Sequence, residues 1–526
     1  MKQKTAEARQ LIKRARRNTL GDILTRTTER TPNKLAITYK ELEISYQQLD
    51  VLVNQTAHTF LAKGFKKGER VAVMSKNSLD FVILNFALAR AGIVMVPINY
   101  MLSIEDAAYI LAHAGVKGLA SSSEFMTFLD EAASELVINN KYVMDTMDDH
   151  TENWSVLDEE RQQFSTEIVE VDVDDTDLCH ILYTSGTESK PKGVMLSHQS
   201  IISEYVSCIV EGNMETNDRI IHALPLYHSA QLHVFLGPSI YTGGSGIILD
   251  SASPELILKT IEEFSATQLF CPPTVWISLL RHPDIVIRDL SSLTKCYYGA
   301  AIMPKEILKE LTERLPNARF WNFYGQTEVA PLATVLQPQD QLRKLGSAGK
   351  PALNVQTKIV DEMGQEVPRG NVGEIVHRTP HAMLGYLHEP EKTAQAFRDG
   401  WFHSGDLGVM DKGGYITIVD RKKDMINTGG VNVSSREVEE VIYQLDGVEE
   451  VAVISIPDPY WIEAVTAIIV SKKQANLTTS QVEAFCRERL SKFKVPKHII
   501  FTETLPKNPS GKVLKRSLRS RYENLL

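Results

Sequence analysis

The sequence predicts an α/β protein: helix-covered, largely parallel sheets over residues 1–420, with a β-rich subdomain at about 355–420, then a small α+β domain over 421–526. Three observations carry this expectation. Strand-length apolar runs (Val71 to Met74, Ile93 to Val96, Gly246 to Leu249) alternate with helix-length segments (Tyr46 to Lys63, Pro254 to Phe264), the pattern of sheets covered by helices. From Val355 to Val419 the texture changes to short strands broken by Gly and Asp turns, as in Gly373 to Arg378 and Gly414 to Val419. The polar run Asp420-Arg421-Lys422-Lys423-Asp424 then breaks the chain, leaving roughly a hundred residues, enough for a small hinged domain with its own core.

The elements follow in chain order. The first 17 residues carry seven Lys and Arg without the apolar run of a secretory signal, which predicts a solvated helix whose apolar face is too thin for firm membrane contact. Leu79 to Ile98 is apolar but interrupted by Asp80, Asn85, Arg90 and Gly92, so crossing a bilayer would be costly. It divides instead into a helix, Phe81 to Ala91, ended by Gly92, and a buried strand, Ile93 to Val96, stopped by Pro97. Beyond the polar run we expect a helix over Ser435 to Tyr443, a strand-turn-strand unit over Val451 to Val470, and a helix over Ser480 to Lys492.

Composition narrows the partners. With 57 Lys and Arg against 66 Asp and Glu, the net charge of -9 gives no electrostatic reason to expect nucleic acid. The five cysteines lie far apart with no C-x-x-C pair, which argues for a reducing, cytoplasmic setting and against a zinc knuckle.

The strongest local motif is Tyr183-Thr184-Ser185-Gly186-Thr187-Glu188-Ser189-Lys190-Pro191-Lys192-Gly193-Val194, which follows the apolar run Leu178 to Leu182. A strand running into hydroxyls, glycines and lysines offers N–H donors, O–H donors and positive charge to a polyphosphate. It is not a Walker A loop, because G-x-x-x-x-G-K-[ST] does not fit. Further along stand Gly299-Ala300-Ala301, Asn322-Phe323-Tyr324-Gly325-Gln326-Thr327-Glu328, Trp401-Phe402-His403-Ser404-Gly405-Asp406, Gly429-Gly430, and Pro506-Lys507-Asn508-Pro509-Ser510-Gly511-Lys512. Tyr324 can stack on a purine, while Thr327 and Glu328 place oxygen ligands for a hard cation bridging phosphates.

Six or more motifs in this order resemble the adenylate-forming superfamily of acyl-CoA synthetases, aryl-CoA ligases, luciferases and peptide-synthetase adenylation domains. The likeness runs from Leu42 to Lys512 and implies the adenylate-forming fold, with a mobile C-terminal domain. It implies ATP, Mg2+ and coenzyme A as cofactors and a small-molecule carboxylic acid as substrate, and it leaves room for a homodimer. Thr184, Ser185, Gly186, Thr187, Glu188 and Lys192 would form the phosphate loop, with Thr187 and Glu328 on the metal. Gly299, Ala300 and Ala301 resemble the adenine-contacting turn, beside Asn322, Tyr324, Gly325, Gln326 and Thr327 of the aromatic motif. Asp406 and Arg421 would hold the ribose, and Lys423 would be the hinge. Gly429 and Gly430 would line the pantetheine tunnel. Lys512, with Thr187 and Glu328, would be catalytic. Two positions depart from the commonest pattern: Glu188-Ser189 stands where Thr-Gly is frequent, and Asn427 where several relatives carry Lys.

The acid site is expected at His228, Gly299 and Gly325. His228, in Leu224-Pro225-Leu226-Tyr227-His228-Ser229-Ala230, takes the place of the aspartate that adenylation domains use for an amino group, and imidazole is a poor partner for ammonium. Leu232, Val234, Phe235, Leu236, Val275, Trp276 and Leu279 suit a hydrocarbon cleft, and equally a buried helix. The arrangement most resembles bacterial fatty-acyl-CoA synthetases, which favours an aliphatic over an aryl acid. A metal shared by His228 and His233 is disfavoured, because five-residue spacing does not align on one helical face. Of three readings, a CoA ligase is preferred over an enzyme charging a carrier protein in trans, since no carrier segment follows Leu526. It is preferred over a non-catalytic nucleotide binder because Lys512, Glu328 and Asp406 are retained.

Overall fold

The computed structural model describes residues 8, 11–145, 153–184, 190–301, 303–429, 431–472, 475, 477–507 and 513–523. Two large sheets organise the N-terminal domain. In the nine-stranded sheet, six consecutive strands run parallel, from Arg319–Gly325 through Lys295–Gly299, Gln268–Phe270, Arg219–His222 and Ser245–Ile248 to Leu35–Tyr39, with antiparallel strands at both edges. The eight-stranded sheet is parallel from Leu178–Thr184 through Val94–Pro97, Arg70–Met74 and Gly118–Ser122 to Asn140–Met144 and Ser155–Val156. Its other edge is antiparallel, through Lys192–Ser197 and Gly385–Tyr386.

The helices Tyr46–Ala62 and Leu79–Arg90 lie between these sheets, since one core cluster joins Val53 and Phe86 to Ile37 of the first sheet and Val71 of the second. Every residue of Leu79–Arg90 is buried, which explains its apolar run. Two of its polar interruptions are paired rather than exposed: Asp80 meets Arg161, and Arg90 donates to Asp50 at 2.7 Å; the third, Asn85, is buried without a hydrogen-bond partner among the described residues. Ser78 caps the helix by accepting from the Phe81 N–H, and Gly92 adopts φ +70° just beyond its end, as a chain reversing into the strand Val94–Pro97 requires.

Between residues 356 and 421 a five-stranded antiparallel sheet forms, as the texture of the sequence predicts. The separate C-terminal domain pairs Val448–Asp458 with Ile462–Ser471 in a long hairpin. Beneath the hairpin pack Ser435–Tyr443, the predicted helix, and Thr479–Arg489, which stops three residues short of its expected end because Leu490 is already extended. No helix among the described residues is long and apolar enough to cross a membrane.

Candidate active site

A cavity of about 930 Å3 opens at the C-terminal ends of the parallel strands of both sheets: Pro97, Thr184, Phe270, Tyr324 and Gly325 line it, each at or near a strand end. Ligands of open α/β sheets bind at such ends. Among its described lining residues nine are Lys or Arg and three are Asp or Glu, an inversion of the chain's net -9. A cavity so charged concentrates a polyanion.

Tyr324, Asp406 and Arg421 converge from three strands. The strand Trp401–Met410 alternates in burial, turning Ser404 and Asp406 inward, and Asp406 faces Arg421 directly across the antiparallel ladder. Tyr324 donates its hydroxyl to Asp406 Oδ2 at 2.6 Å, and Arg421 Nε lies 2.9 Å from Asp406 Oδ1. Burial, then the adjacent Asp406, raises Tyr324 well above its usual pKa, so it remains a donor. Burial disfavours charge on Arg421, yet Asp406 and its other acidic neighbours leave its pKa raised. Asp406 itself is 4% exposed; the cavity surface here is made by Tyr324, Gly405 and Arg421. Behind Gly405, whose N–H donates to Glu374 at 3.2 Å, Glu374 also lies 3.2 Å from His403 and 3.3 Å from Arg398.

Thr327 and Glu328 sit on a 3-10 turn at the same strand end and line the cavity. Ser229 and Thr327 hydroxyls are 3.2 Å apart, and Tyr386 donates to Glu328 Oε1 at 2.9 Å. Lys192 stands over the Tyr386 ring at 5.2 Å. Sequence reasoning missed Tyr386, Glu374 and Arg398; they reach the cavity only because Gly385–Tyr386 pairs with Lys192–Ser197 and the antiparallel sheet folds back, and no local motif announces either.

Several expected site residues take other roles. Asn322 does not line the cavity and donates to the Ser347 carbonyl at 3.1 Å. A Cβ on Gly299 would lie 2.4 Å from the Phe323 carbonyl oxygen, and one on Gly325 1.6 Å from that of Pro331. Adjacent strands, then, demand both glycines. Gly325 lines the cavity, as do Ala300 and Gln326, while Gly299 and Ala301 do not.

His228 lines the cavity, whereas His233 is buried between His180 (3.2 Å) and Tyr205 (3.4 Å), where burial lowers its pKa to about 3. No cluster of three potential metal-binding His, Cys, Asp or Glu occurs among the described residues. The expected apolar cleft is only partly right. Residues 230–236 form a π-helix, whose wide turn brings Ala230, Val234 and Phe235 to one face; these line the cavity. Leu232 and Leu236 instead join the core between the sheets, and Trp276, Leu279 and Val275 belong to another core, with the Trp276 indole donating to the Tyr297 carbonyl at 3.0 Å.

Ser185, Gly186, Thr187, Glu188, Gly430 and Lys512 lie outside the described residues. Their flanks are informative. Thr184 and Lys192, directly opposed across two antiparallel strands, both line the cavity. Lys507 and Val513 form a bridge, and Lys507, Leu514 and Arg516 line the cavity from the C-terminal domain. Lys423 lines it too, its pKa lowered by burial and then by Arg421. Gly429 does not; its N–H donates to the Trp461 carbonyl at 2.6 Å.

A charged, nucleotide-sized cleft at the ends of two sheets, closed by a small α+β domain, defines an adenylate-forming enzyme. The chain belongs to the AMP-binding enzyme family, which it matches over residues 24–387, with the family's C-terminal domain at 437–512. It is an AMP-forming acyl-CoA synthetase, a family of ligases whose cofactors are ATP, coenzyme A and Mg2+. It is 34% identical to a feruloyl-CoA synthase of an Amycolatopsis species, covering 96% of this chain and 99% of that protein. It is 32% identical to a long-chain-fatty-acid–CoA ligase of Bacillus subtilis, over 95% and 94%. Among solved structures, ATP-bound MatB from Rhodopseudomonas palustris matches with a TM-score of 0.89 at 32% identity, covering 96% and 99%. Apo MatB matches with 0.76 at 31%, over the same shares.

Proposed function

We propose that this synthetase condenses a carboxylic acid with ATP to give acyl-AMP and pyrophosphate, and then transfers the acyl group to the thiol of coenzyme A, releasing AMP. The observation that carries this reading is the cationic cavity bounded by both domains, lined by Thr184 and Lys192 of the N-terminal domain and by Lys507, Leu514 and Arg516 of the C-terminal domain. In the first step a carboxylate oxygen attacks the α-phosphorus and the bond to pyrophosphate breaks. Lys190, Lys192 and residues 185–189 hold the phosphates, Tyr324 and Arg421 hold the nucleoside with Asp406 fixing both, and Lys512 neutralises the two anions as they meet. In the second step the thiol sulfur attacks the acyl carbon, its proton is lost, and the bond to AMP breaks.

Residues 1–420 form the ATP- and acid-binding domain in this reading, and residues 421–526 move. The higher similarity to ATP-bound than to apo MatB supports assigning the present orientation to the first step, which fits Gly429 lying away from the cavity. Rotation about Lys423 would then bring Gly429 and Gly430 to the thiol tunnel. Lys423→Pro, which fixes φ at the hinge, is therefore expected to spare one half-reaction and impair the other; equal losses in both would contradict the hinge.

Thr187 and Glu328 would hold Mg2+, which neutralises phosphate charge when bound. The oxygen chemistry at Thr327 and Glu328 fits such an ion. Glu328→Ala is expected to raise the magnesium concentration needed for half-maximal activity, read from a magnesium titration; an unchanged requirement would remove Glu328 from this role.

For the acid, the sequence favours a fatty acid, a reading that the Bacillus relative supports; an aryl acid is supported by the Amycolatopsis relative. The ligase reading is tested by exchange of labelled pyrophosphate into ATP without CoA. Exchange should require the acid, and exchange independent of every acid would contradict it.

A further inference from the structure

The helix Ser435–Tyr443 of the C-terminal domain is capped twice. Its own Ser434 hydroxyl accepts from the Glu437 N–H at 3.2 Å, as a helix is usually capped by the residue before it. The second cap comes from the N-terminal domain. Asp420 lies on the strand Ile416–Arg421, which is laddered to Trp401–Met410 in the five-stranded antiparallel sheet. Its Oδ2 accepts from the Ser435 N–H at 2.6 Å and from the Ser435 hydroxyl at 2.8 Å, while the Arg421 N–H holds Oδ1 at 2.7 Å. Two further donors of the helix end reach the same strand: the Ser434 hydroxyl bonds the Val419 carbonyl at 2.9 Å, and the Arg436 guanidinium bonds the Ile418 carbonyl. Asp420, Ser434, Ser435 and Arg436 are all buried, where a hydrogen bond to a carboxylate is among the stronger ones.

The chain passes from one side of this contact to the other through Lys423. Neighbouring ion pairs lie wholly beyond it, Asp424 with Arg519 at 2.6 Å and Lys515 with Glu439 at 2.8 Å. A rotation about Lys423 keeps those pairs and the Ser434 cap, but it draws the helix off Asp420, whose strand stays in the sheet. The contact also bears on the catalytic end of the chain. The Ser435 hydroxyl that donates to Asp420 accepts from Lys515 Nζ at 2.6 Å, and Lys515 opens the helix Lys515–Tyr522 directly after Leu514, which lines the cavity.

We propose that Asp420 is a positioning residue, a latch whose carboxylate caps the helix Ser435–Tyr443 only in the orientation that forms acyl-AMP and so holds the C-terminal domain there. It rests on the ligase and hinge reading above. One helix cap shifts the ratio of two orientations roughly tenfold, enough to favour one and weak enough to be released at each turnover. Because Ser434 caps the helix in either orientation, releasing the latch leaves the C-terminal domain folded.

The distance between the domains reads the latch without turnover. All five cysteines are buried, so spin labels attach selectively to Met363→Cys and Asp446→Cys, exposed positions of the two domains, and pulsed dipolar spectroscopy measures their separation. Asp420→Ala should enrich a second distance population roughly tenfold over the unsubstituted protein, and Asp420→Asn, which keeps one acceptor oxygen, should enrich it less. Ser435→Ala, which leaves Asp420 and Arg421 in place, should act in the same direction. In Asp420→Ala, acid-dependent pyrophosphate exchange should fall by up to about tenfold, with thioester formation from supplied acyl-AMP and CoA unchanged. An unchanged distance distribution, or equal losses in the two half-reactions with a lowered melting temperature, would overturn the latch. If the unsubstituted protein shows no acid-dependent exchange, the ligase reading fails and the distances alone decide the latch.

Discussion

Lys512→Ala is expected to slow acyl-adenylate formation by ~100-fold or more, the cost of removing one preorganised group from a developing charge, while supplied acyl-AMP and CoA still give acyl-CoA at nearly the unsubstituted rate. The physical reason is positional. The chain on either side of residues 508–512 lies at the cavity, with Lys507 before and Leu514 and Arg516 after. A point charge there screens the carboxylate from the α-phosphate only while the two converge. Rotation of the C-terminal domain for thioester formation would withdraw it. Measuring the two half-reactions separately checks this, and an adenylation rate close to that of the unsubstituted protein would make Lys512 an ordinary surface lysine.

Gly325→Ala should have the largest effect on the fold of any single methyl group at the site. Its Cβ would sit 1.6 Å from the Pro331 carbonyl oxygen and 3.0 Å from the Ala333 nitrogen, both backbone atoms of the chain leading into the neighbouring strand, so no side-chain rotation relieves the overlap. The strand Arg319–Gly325 must move, taking Tyr324 with it. A loss of about 3 kcal/mol is expected, at the upper end of overpacking costs, seen as a lowered denaturation midpoint and accompanied by weaker nucleotide binding. A variant with unchanged stability and impaired binding of the acid alone would return this glycine to the role of a ligand contact.

That contrast illustrates what the sequence could and could not convey. Periodicity and punctuation located most of the elements named from the sequence to within one to three residues, because Gly92 and Pro97 act through local geometry that does not depend on the rest of the chain. The ordered motifs likewise pointed to one cleft, and Thr184, Lys192, His228, Tyr324, Thr327 and Glu328 all line it. What failed was the distinction between residues that touch the cavity and residues that shape it. Asn322 and Gly299 sit inside motifs, yet the first serves the Ser347 carbonyl and the second makes room for a neighbouring strand. Trp276 and Leu279 looked like acid-pocket residues because an apolar helix has the same composition whichever side of a sheet it covers. Phe270 and Phe323 were invisible as a pair, since parallel-strand register alone brings together residues 53 positions apart.

In the proposed first step the acid's own oxygen becomes bonded to the α-phosphorus of ATP. Incubating the protein with ATP, CoA and an acid labelled with 18O in both carboxyl oxygens, then determining the mass of the nucleotide product, tests it most directly. AMP carrying one labelled oxygen is expected, formed in equal amount with acyl-CoA and pyrophosphate. Unlabelled AMP, or ADP with the label in inorganic phosphate, would contradict it.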